Sequence, residues 1–495
     1  METDNGGVNQ MIDLKNLGKY RENNRIEAKK ALGGLPHSIW ETYSAFANTL
    51  GGIILLGVEE YPDKSLHAVD LPDPNRLIKD FWDLVNNTQK ASVNVLSGKD
   101  VSVENVDGKR IVVINVPRAD RSYKPVYIDG NPLNSFRRNG EGDYKCTDEE
   151  LKAMYRDASV RTQDMLVLDN FGMDVINAES LRSYRQRMRL SRPGHVWDTL
   201  EDEEFLIKLG ASGIGEDGKR HPTSAGLLMF GNEYDIVREY PNYFLDYREE
   251  YDDVHRWTDR FISSSGDWSG NVYDFYFRAY NKLQLDLKVP FEMNGGLRVD
   301  DTPVHKAIRE ALANCLVNAD YYGRGGIVII KKRESVTMSN PGSFRIGIDA
   351  AISGGFSDPR NGTMLKMLNM IDIGERAGSG IPNIYRVWHD QNWAEPTFTQ
   401  SFEPDRTTLS LLFSKGDDKT VTIKSGEKKV ANKTGTQKAI IIHYLTDHSS
   451  ATVNELAGLL EVSSSRVKKL IYELVDEQII VADGANRNRT YRLKS

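Results

Sequence analysis

Alternation of apolar and polar residues divides the first third of the chain into short helices and strands. The segment PHSIWETYSAFANTLG, residues 36–51, has a proline near its start and a glycine at its end, and predicts a helix. GIILLGV, residues 52–58, is apolar throughout and predicts a central, buried strand. NRIEAKK, RIVVINVP and KPVYIDG predict further strands. We therefore expect residues 1–155 to form one α/β (α+β) domain.

The middle of the chain contains the longest helical pattern. PVHKAIREALANCLVNADYY, residues 303–322, repeats apolar residues at helical spacing, so its polar residues fall on the opposite face. SLRSYRQRMRL and EDEEFLIKLGA also predict helices, and HPTSAGLLMFG predicts a helix or a strand. GGIVIIKKRESVTMSNPG predicts two paired strands that end in a turn. These elements assign residues 160–413 to a second block.

A change of composition separates the last part of the chain from the rest. Residues 414–435 are rich in Lys, Gly, Ser and Thr and have few large apolar residues, which is typical of a flexible linker. Residues 436–495 predict helices over about 437–445, 453–460 and 464–477, and then a hairpin made of QIIVAD and RTYRLK. Three helices and a hairpin indicate a winged helix-turn-helix domain.

The third of these helices could enter the major groove of DNA and contact phosphates or bases. The candidate nucleic-acid-binding residues are Arg466, Lys468 and Lys469 on this helix and Arg487 and Arg489 on the wing. Basic and acidic residues are nearly equal in number in this domain, so a winged helix that contacts only proteins is the alternative.

Composition and charge exclude several classes of protein. The chain has 495 residues, enough for about three domains, and its net charge of −7 excludes a uniformly basic nucleic-acid coat. Two isolated cysteines make neither a disulfide framework nor a zinc site. The polar N-terminus lacks a signal-peptide pattern, and no apolar run approaches the roughly 20 residues that span a bilayer. We therefore expect a cytoplasmic protein without a membrane partner.

Three segments of the middle block suit the binding of a nucleotide. Glu310, Asn314 and Asn318 share one helix face, and a Glu and an Asn one turn apart suit a water-activating base beside a magnesium ligand. MSNPGSF ends a strand in a turn that contains Asn340 and Gly342. GERAGSGIPNI is a glycine-rich loop that opens a helix, where backbone N–H groups can bind phosphate. Each signal is weak alone, and together they indicate a nucleotide site.

In this order, the segments EALANCLVNADY, SNPG, FSDPRN and GERAGSGI resemble the ATP-binding domain of the GHKL superfamily of gyrases, heat-shock chaperones, histidine kinases and MutL. The resemblance is closest to a divergent branch in bacterial proteins thought to regulate transcription. It implies a Bergerat-type α/β sandwich that binds ATP with Mg²⁺. The resemblance would make Glu310 the residue that polarises the attacking water and Asn314 the Mg²⁺ ligand.

The same resemblance assigns the remaining cofactor contacts. Asn340 and Gly342 would lie beside the adenine, and Gly378, Ser379 and Gly380 would lie beside the phosphates. The superfamily has an Asp where this chain has Asn340, which leaves the identity of the nucleotide open. A retained fold with an inactive site is the alternative.

The N-terminal block resembles a Schlafen-type AlbA-like domain. The resemblance rests on YRENNRIEAKKA, on AFANTLGGIILLGV with the two acids after it, and on KPVYIDGNPLNSFRRNGEGDY. Together with the resemblance of the middle block and with the winged helix, this resemblance covers nearly the whole chain. It implies either a regulator that binds nucleic acid or, as in eukaryotic Schlafen proteins, a metal-dependent RNase that cleaves transfer RNA.

The nuclease alternative needs carboxylates that hold Mg²⁺ or Mn²⁺, which prefer oxygen ligands. By the resemblance these are Glu22, Glu27 and Glu59, although the family commonly has an Asp at the last position. Lys29 lies two residues from Glu27, on the same face of a strand, and would steady the developing charge. The alternative is an ordinary exposed ion pair between Glu27 and Lys29, worth roughly 0–1 kcal/mol.

Basic and aromatic residues interleave near the end of this block and predict a surface for a nucleic-acid backbone. The candidate contacts are Arg137 and Arg138, in a cluster with Arg118, Arg121, Lys124 and Lys145. Neighbouring acids leave an ordinary mixed surface as the alternative. The main hypothesis is an ATP-responsive transcriptional regulator that binds DNA, or else RNA, and works as a homo-oligomer.

Overall fold

The structure of the chain, a computed structural model, covers much of the sequence. The residues that it describes are 12–251, 257–285, 292–294, 297–299, 302–374, 378–414, 441, 445, 450–460, 467–468, 470–471, 474–475, 480–483 and 490–493. They belong to two compact units, Met1–Asp418 and Lys419–Ser495, whose boundary falls within the predicted linker. Among the described residues, no helix combines the length and the apolar character needed to cross a membrane.

The N-terminal region is organised around the apolar strand that the sequence predicts. Its elements are β1 Ile26–Lys29, α1 Ile39–Asn48, β2 Gly52–Leu56, β3 Val58–Glu60, β4 Leu66–Ala68, α2 Pro74–Val85, β5 Val101–Val106, β6 Lys109–Val116, β7 Phe136–Asn139, β8 Gly142–Lys145 and α3 Asp148–Ala158. The main sheet has the order β1-β2-β6-β5, with β1 parallel to β2 and the other pairs antiparallel. Hydrophobic clusters cover both faces of this sheet, which explains why β2 is buried along its whole length.

The middle region is a mixed arrangement of helices and sheets. Its helices are α4 Ala178–Ser191, α5 Asp202–Leu209, α6 Ser224–Phe230, α7 Glu233–Glu239, α8 Val272–Leu283, α9 Pro303–Val317, α10 Ile348–Ser353, α11 Gly362–Asn369 and α12 Gly380–Asp390. Its strands are β9 Ser212–Ile214, β10 Arg220–Pro222, β11 Leu245–Glu249, β12 Asp259–Ile262, β13 Glu292–Asn294, β14 Leu297–Val299, β15 Ile327–Lys331, β16 Ser335–Pro341, β17 Thr397–Phe402 and β18 Asp405–Leu412.

A six-stranded sheet forms the base of this region. Its order is β12-β11-β15-β16-β18-β17, and only the β11–β15 pair is parallel. Helix α9 packs against β16 and against α8, α11 and α12, so its apolar face is buried in the largest hydrophobic cluster of the molecule. Its other face is left for polar side chains. The predicted α+β fold class is thereby confirmed.

Most predicted elements in the first unit are present. One prediction is wrong: KPVYIDG forms isolated bridges, at Tyr127 and Ile128, instead of a strand. The ambiguous segment HPTSAGLLMFG contains a short strand, β10, followed by the helix α6. That helix packs so closely that a side chain at Gly226 would overlap the backbone of Ala211.

In the second unit, a helix spans Val453–Leu460, and strands Ile480–Asp483 and Thr490–Leu493 pair antiparallel, as predicted. Leu456, Leu470 and Leu474 contribute to its small hydrophobic cluster. Of the candidate DNA contacts, Lys468 is exposed on a helical segment. The candidates Arg466, Lys469, Arg487 and Arg489 lie outside the described residues, so the winged helix stays a prediction.

Candidate functional site

The polar face of α9 carries the three residues that the sequence placed together. Pro303 occupies the first turn, where its missing N–H leaves no unmade bond. Asn314 Nδ2 donates to Glu310 Oε1 at 3.2 Å, and Asn318, the C-cap, donates through Nδ2 to the backbone oxygen of Asn314 at 2.9 Å. The side-chain nitrogen of Asn314 is occupied by its hydrogen bond to Glu310. The side-chain oxygen, Oδ1, is therefore the atom of Asn314 that suits a cation.

The glycine-rich loop packs directly against this face. Helix α12 begins at Gly380, and a Cβ added there would lie 2.8 Å from Glu310 Cδ and would overlap Oε1. Gly378 has φ +66, and a Cβ on it would lie 2.7 Å from the backbone oxygen of Phe356. Gly378 therefore excludes a side chain, both by contact with backbone and by its left-handed conformation, whereas a side chain at Gly380 would displace the carboxylate of Glu310.

A small cavity of about 100 Å³ lies between α9, the end of β16 and the loop. Its lining includes six of the predicted residues, namely Glu310, Asn314, Asn318, Asn340, Gly378 and Gly380, together with the aromatic side chains of Phe344, Phe356 and Phe398. We call this space the inner cavity. It combines an apolar, aromatic wall with a few polar groups, as small-molecule sites generally do.

A wider space of about 920 Å³ opens beside the inner cavity, and we call it the outer cleft. Glu310 and Gly380 line both spaces, and Ser379 lines the outer cleft. The outer cleft also contains four basic side chains that the sequence analysis missed: Arg192, Lys306, Arg309 and Arg386. Lys306 stands one helical turn before Glu310, so the spacing that singled out Asn314 could also have indicated this lysine.

Asn340 and Gly342 have different surroundings. Asn340 is buried and donates through Nδ2 to the backbone oxygen of Pro341 at 3.0 Å. Gly342 does not line the inner cavity; its N–H donates to the backbone oxygen of Asp405 at 3.0 Å, and its own oxygen accepts from Thr407 Oγ1 at 2.8 Å. Gly342 therefore shapes the turn after β16, whereas Asn340 faces the cavity.

These groups fit a nucleotide with Mg²⁺ in chemistry, although the inner cavity is smaller than the roughly 300 Å³ at which ligand sites usually begin. Asn314 and Glu310 supply oxygens of the kind that Mg²⁺ prefers. The aromatic wall suits a nucleobase, and the basic outer cleft suits phosphates. Binding of a base would require this cavity to widen, and one of its walls contains Phe344 and Phe356.

That wall is bonded on its far side to the N-terminal region. Arg118 donates to the backbone oxygen of Phe344, and Arg121 donates to both carboxylate oxygens of Asp358, at 2.5 and 3.2 Å. Phe344 and Asp358 both line the inner cavity. The N-terminal region and the cavity wall are therefore in direct polar contact.

A buried arginine, Arg360, connects the end of α3 to segments that line the inner cavity. It is 2% exposed, and its Nε and Nη2 donate to the carboxylate of Asp157, at the end of α3, at 2.9 and 2.8 Å. It also donates to the backbone oxygens of Asn318 and Ser343. Burial alone would raise the pKa of Asp157, but the charge and hydrogen bonds of Arg360, together with the charges of Arg345 and Arg156, hold this pKa below its ordinary value.

The carboxylates of the N-terminal region lie close together only in part. Glu22 Oε1 accepts from the backbone N–H of Ala28 at 2.9 Å. Burial and the neighbouring carboxylates of Glu27 and Glu60 raise the pKa of Glu22. Glu59 instead forms an exposed ion pair with Lys30 at 2.9 Å. Of the two acids in β3, Glu60 is therefore the one whose charge contributes to the raised pKa of Glu22, and the assignment of Glu59 to this cluster stays a prediction.

The oxygens of Glu27 are already bound to cations of the protein. Oε1 accepts from Lys29 Nζ at 2.9 Å and Oε2 from Arg138 Nη2 at 2.8 Å. The Glu27–Lys29 pair predicted as the ordinary alternative is present, and it is largely buried, with 12% of each side chain exposed. In the part of the chain that the structure describes, no three His, Cys, Asp or Glu side chains are grouped to hold a metal ion.

The two arginines proposed to contact nucleic acid are not surface groups. Arg138 is 3% exposed; it also bonds to Asp143 at 2.9 Å and lies over the ring of Phe46. Its guanidinium is fully engaged, so it positions Glu27 and cannot reach a nucleic acid. Arg137 has a 14% exposed side chain and pairs with Glu150 at 2.8 Å.

Comparison with protein-family models identifies three parts of the chain. Residues 22–147 match the family "Schlafen, AlbA_2", and residues 326–411 match the family "Putative ATP-dependent DNA helicase recG C-terminal". Residues 152–246 match a domain of unknown function, DUF8451. The chain therefore contains a Schlafen AlbA_2 domain and an ATPase-type domain of the RecG C-terminal family.

Two solved structures are similar to the chain in part. The N-terminal domain of a RecG-related protein from Nitrosomonas europaea, described as a "Putative ATP-dependent DNA Helicase", is 34% identical; the match covers 27% of this chain and 90% of that one, with a TM-score of 0.22. The DIP2311 protein from Corynebacterium diphtheriae is 16% identical over 95% of this chain and 92% of that one, with a TM-score of 0.40. No curated protein is similar enough to count as a match.

Proposed function

We propose that the protein binds nucleic acid and that ATP with Mg²⁺ regulates this binding. The AlbA_2 domain and the RecG-type ATPase domain support a nucleic-acid-related protein that uses ATP. A DNA-binding transcriptional regulator is the specific form that we propose, with the predicted winged helix as a second contact to DNA.

One observation carries the link between the two activities. Arg118 and Arg121, which belong to the AlbA_2 domain, bond to Phe344 and Asp358 in the wall of the inner cavity. We expect a nucleotide base that enters the inner cavity to push this wall outward. The contacts on its far side then shift, so the AlbA_2 domain responds to occupancy of the cavity.

The roles of the site residues follow from their positions. Asn314 Oδ1 and Glu310 would hold Mg²⁺ and orient the water that attacks the terminal phosphate, while the basic residues of the outer cleft neutralise phosphate charge. Bound Mg²⁺ would supply charge neutralisation at the phosphates. Gly378 and Gly380 would allow the loop to approach α9, and Asn340 Oδ1 would accept a hydrogen bond from a base.

The proposal is tested by binding of labelled duplex DNA at low salt, with and without ATP and Mg²⁺. We expect a measurable affinity that changes when ATP and Mg²⁺ are added together. Failure to bind any duplex or RNA at low salt would refute the proposed function. Homo-oligomer formation, which a winged helix often uses to contact two half-sites, is tested by light scattering of the same samples.

A metal-dependent nuclease is the second candidate, and it is favoured by the charges of Glu27 and Glu60, which together with burial raise the pKa of Glu22. The salt bridges of Glu27 mean that this cluster does not fit a metal as it stands, so we derive no cleavage step from it. Incubation with transfer RNA and with DNA in the presence of Mn²⁺ tests this candidate. Cleavage that Glu60→Gln abolishes and Glu59→Gln preserves would support it, whereas no cleavage, or cleavage that both variants retain, would exclude this cluster.

A further inference from the structure

A third space lies between the AlbA_2 domain and the ATPase-type domain, and we call it the interdomain cleft. Its volume is about 670 Å³, within the roughly 300–1,000 Å³ that is typical of small-molecule sites. Its walls include residues of α3 and of the segments 118–124, 342–345 and 402–405. None of the residues assigned to the base or the phosphates of ATP contributes to it except Gly342, which shapes the turn.

Two cations of this cleft, Arg118 and Lys124, form no ion pair within 4 Å among the described residues. The carboxylates of Asp157 and Asp405 nevertheless line the same cleft and favour the charged form of both cations. Arg118 donates to the backbone oxygen of Phe344, and Lys124 Nζ donates to the backbone oxygen of Asn48 at 2.6 Å. Burial lowers the pKa of both groups, and the nearby charge of Arg118 lowers that of Lys124 further. A pair of partly buried positive charges that repel each other is stabilised by an anion between them.

Unsatisfied polar atoms are also found in the lining. Asp405 Oδ1 and Arg156 Nε are both buried, and neither has a hydrogen-bond partner within the described residues. Nearly all buried polar atoms of native proteins are bonded to protein, water or a ligand. Arg156 Nε is a donor that lacks the acceptor an anion in the cleft would supply, whereas Asp405 Oδ1 is an acceptor and requires a donor.

The rim of the cleft determines which anion fits. Glu149 and Glu403 line it with side chains that are 48% and 69% exposed. Each is paired with an arginine, Glu149 with Arg324 at 2.7 Å and Glu403 with Arg137 at 3.5 Å, so the rim carries little net charge and offers no basic track for an extended nucleic-acid backbone. A compact anion would stay among the cations, away from the rim.

We propose that the interdomain cleft binds a compact, phosphate-bearing small molecule, with Arg118 and Lys124 as its phosphate ligands. This site is separate from the proposed ATP site. Ser343, Phe344 and Arg345 line both the interdomain cleft and the inner cavity. The small molecule would therefore contact the same wall that we expect a nucleotide base to displace, from its opposite side.

The test is calorimetric titration of the full chain with inorganic pyrophosphate. The variants are Arg118→Gln and Lys124→Gln, and the control is Arg110→Gln, which removes an arginine that pairs with Asp70 at the surface. We expect each cleft variant to weaken pyrophosphate binding by about tenfold, and the control to bind as the wild type does. Arg118→Lys, which keeps the charge, serves as a second variant if Arg118→Gln does not fold.

Three outcomes would overturn the proposal. The first is that the wild type does not bind pyrophosphate. The second is that it binds, but that folded Arg118 and Lys124 variants bind equally well, which would assign the anion to the outer cleft. The third is that a ten-nucleotide thymidylate binds more tightly than pyrophosphate and shows the same dependence on both cations, which would make the cleft a nucleic-acid groove.

Discussion

Replacement of Gly380 by alanine separates the function of the nucleotide site from the stability of the fold. A Cβ at this position would lie 2.8 Å from Glu310 Cδ and would overlap the carboxylate oxygen. The carboxylate is the far end of a flexible side chain, so we expect it to move aside while the backbone stays in place. Gly380→Ala is therefore expected to displace Glu310 and to break its 3.2 Å hydrogen bond with Asn314.

The expected magnitudes differ for stability and for binding. Alanine is favoured over glycine in a helix by up to about 1 kcal/mol, and the lost hydrogen bond costs about 1 kcal/mol. The free energy of unfolding should therefore change by less than about 1 kcal/mol. Loss of one well-placed contact to Mg²⁺ and phosphate should weaken binding of ATP with Mg²⁺ by about tenfold, which corresponds to about 1.4 kcal/mol.

Calorimetric titration with ATP and Mg²⁺ measures the affinity, and urea unfolding measures the stability of the same variant. Gly347→Ala is the matched control, because a Cβ at Gly347 meets no atom within 4 Å. Wild-type affinity for ATP in Gly380→Ala, or an equal loss in Gly347→Ala, would refute the reasoning. A decrease of several kcal/mol in the free energy of unfolding of Gly380→Ala would also refute it, because that result would mean that the Glu310 carboxylate cannot move aside.

Other predictions concern buried carboxylates. Asp157→Asn leaves the buried guanidinium of Arg360 without its counter-charge and should cost about 3–5 kcal/mol in urea unfolding; a cost below about 1 kcal/mol would contradict this contact. Burial raises the pKa of Asp405 from 3.8 to about 6, so the folded state holds this proton more tightly and its stability falls as pH rises between these values. Asp405→Asn should remove that fall and stabilise the protein at pH 7 by about 2 kcal/mol, and an unchanged pH profile of unfolding would contradict the assignment. By NMR titration, Glu60→Gln should lower the pKa of Glu22 and Glu59→Gln should not; the reverse result would assign Glu59 to the cluster.

The grouping of residues at the proposed nucleotide site was predictable because these residues follow a fixed period. A helix brings residues four apart onto one face, which places Glu310 beside Asn314 without any knowledge of the rest of the fold. The glycine-rich loop was predictable for a similar reason, because glycines that precede a helix favour close approach of the backbone. The contact between the loop and Glu310, which is made at Gly380, required only that the loop pack against the polar face of α9.

The acidic cluster was predicted less well because the strand before it, β2, shows no alternation of apolar and polar residues. β2 is apolar at every position and buried on both faces, and Gly57, with φ +84, separates it from β3. The faces of β3 therefore cannot be assigned from β2. As a result, the sequence did not indicate which of the two acids, Glu59 or Glu60, would act on the pKa of Glu22.

Long-range ion pairs were beyond prediction. Arg138 bonds to a carboxylate 111 residues earlier in the chain, and Arg360 to one 203 residues earlier. A basic residue is usually solvated, so the sequence favoured a surface role for Arg138. Its burial follows from the paired carboxylates of Glu27 and Asp143, which become neighbours only when β1, β7 and β8 assemble.

Reciprocal linkage between ATP and nucleic acid tests the central claim most directly. The affinity of the full chain for a labelled duplex is measured by fluorescence anisotropy with and without ATP and Mg²⁺, in the wild type and in Arg121→Gln. We predict that ATP and Mg²⁺ change the wild-type affinity by about fivefold or more, and that Arg121→Gln binds both ligands but loses this change. Equal affinity with and without ATP in the wild type, or an undiminished response in Arg121→Gln, would contradict the account.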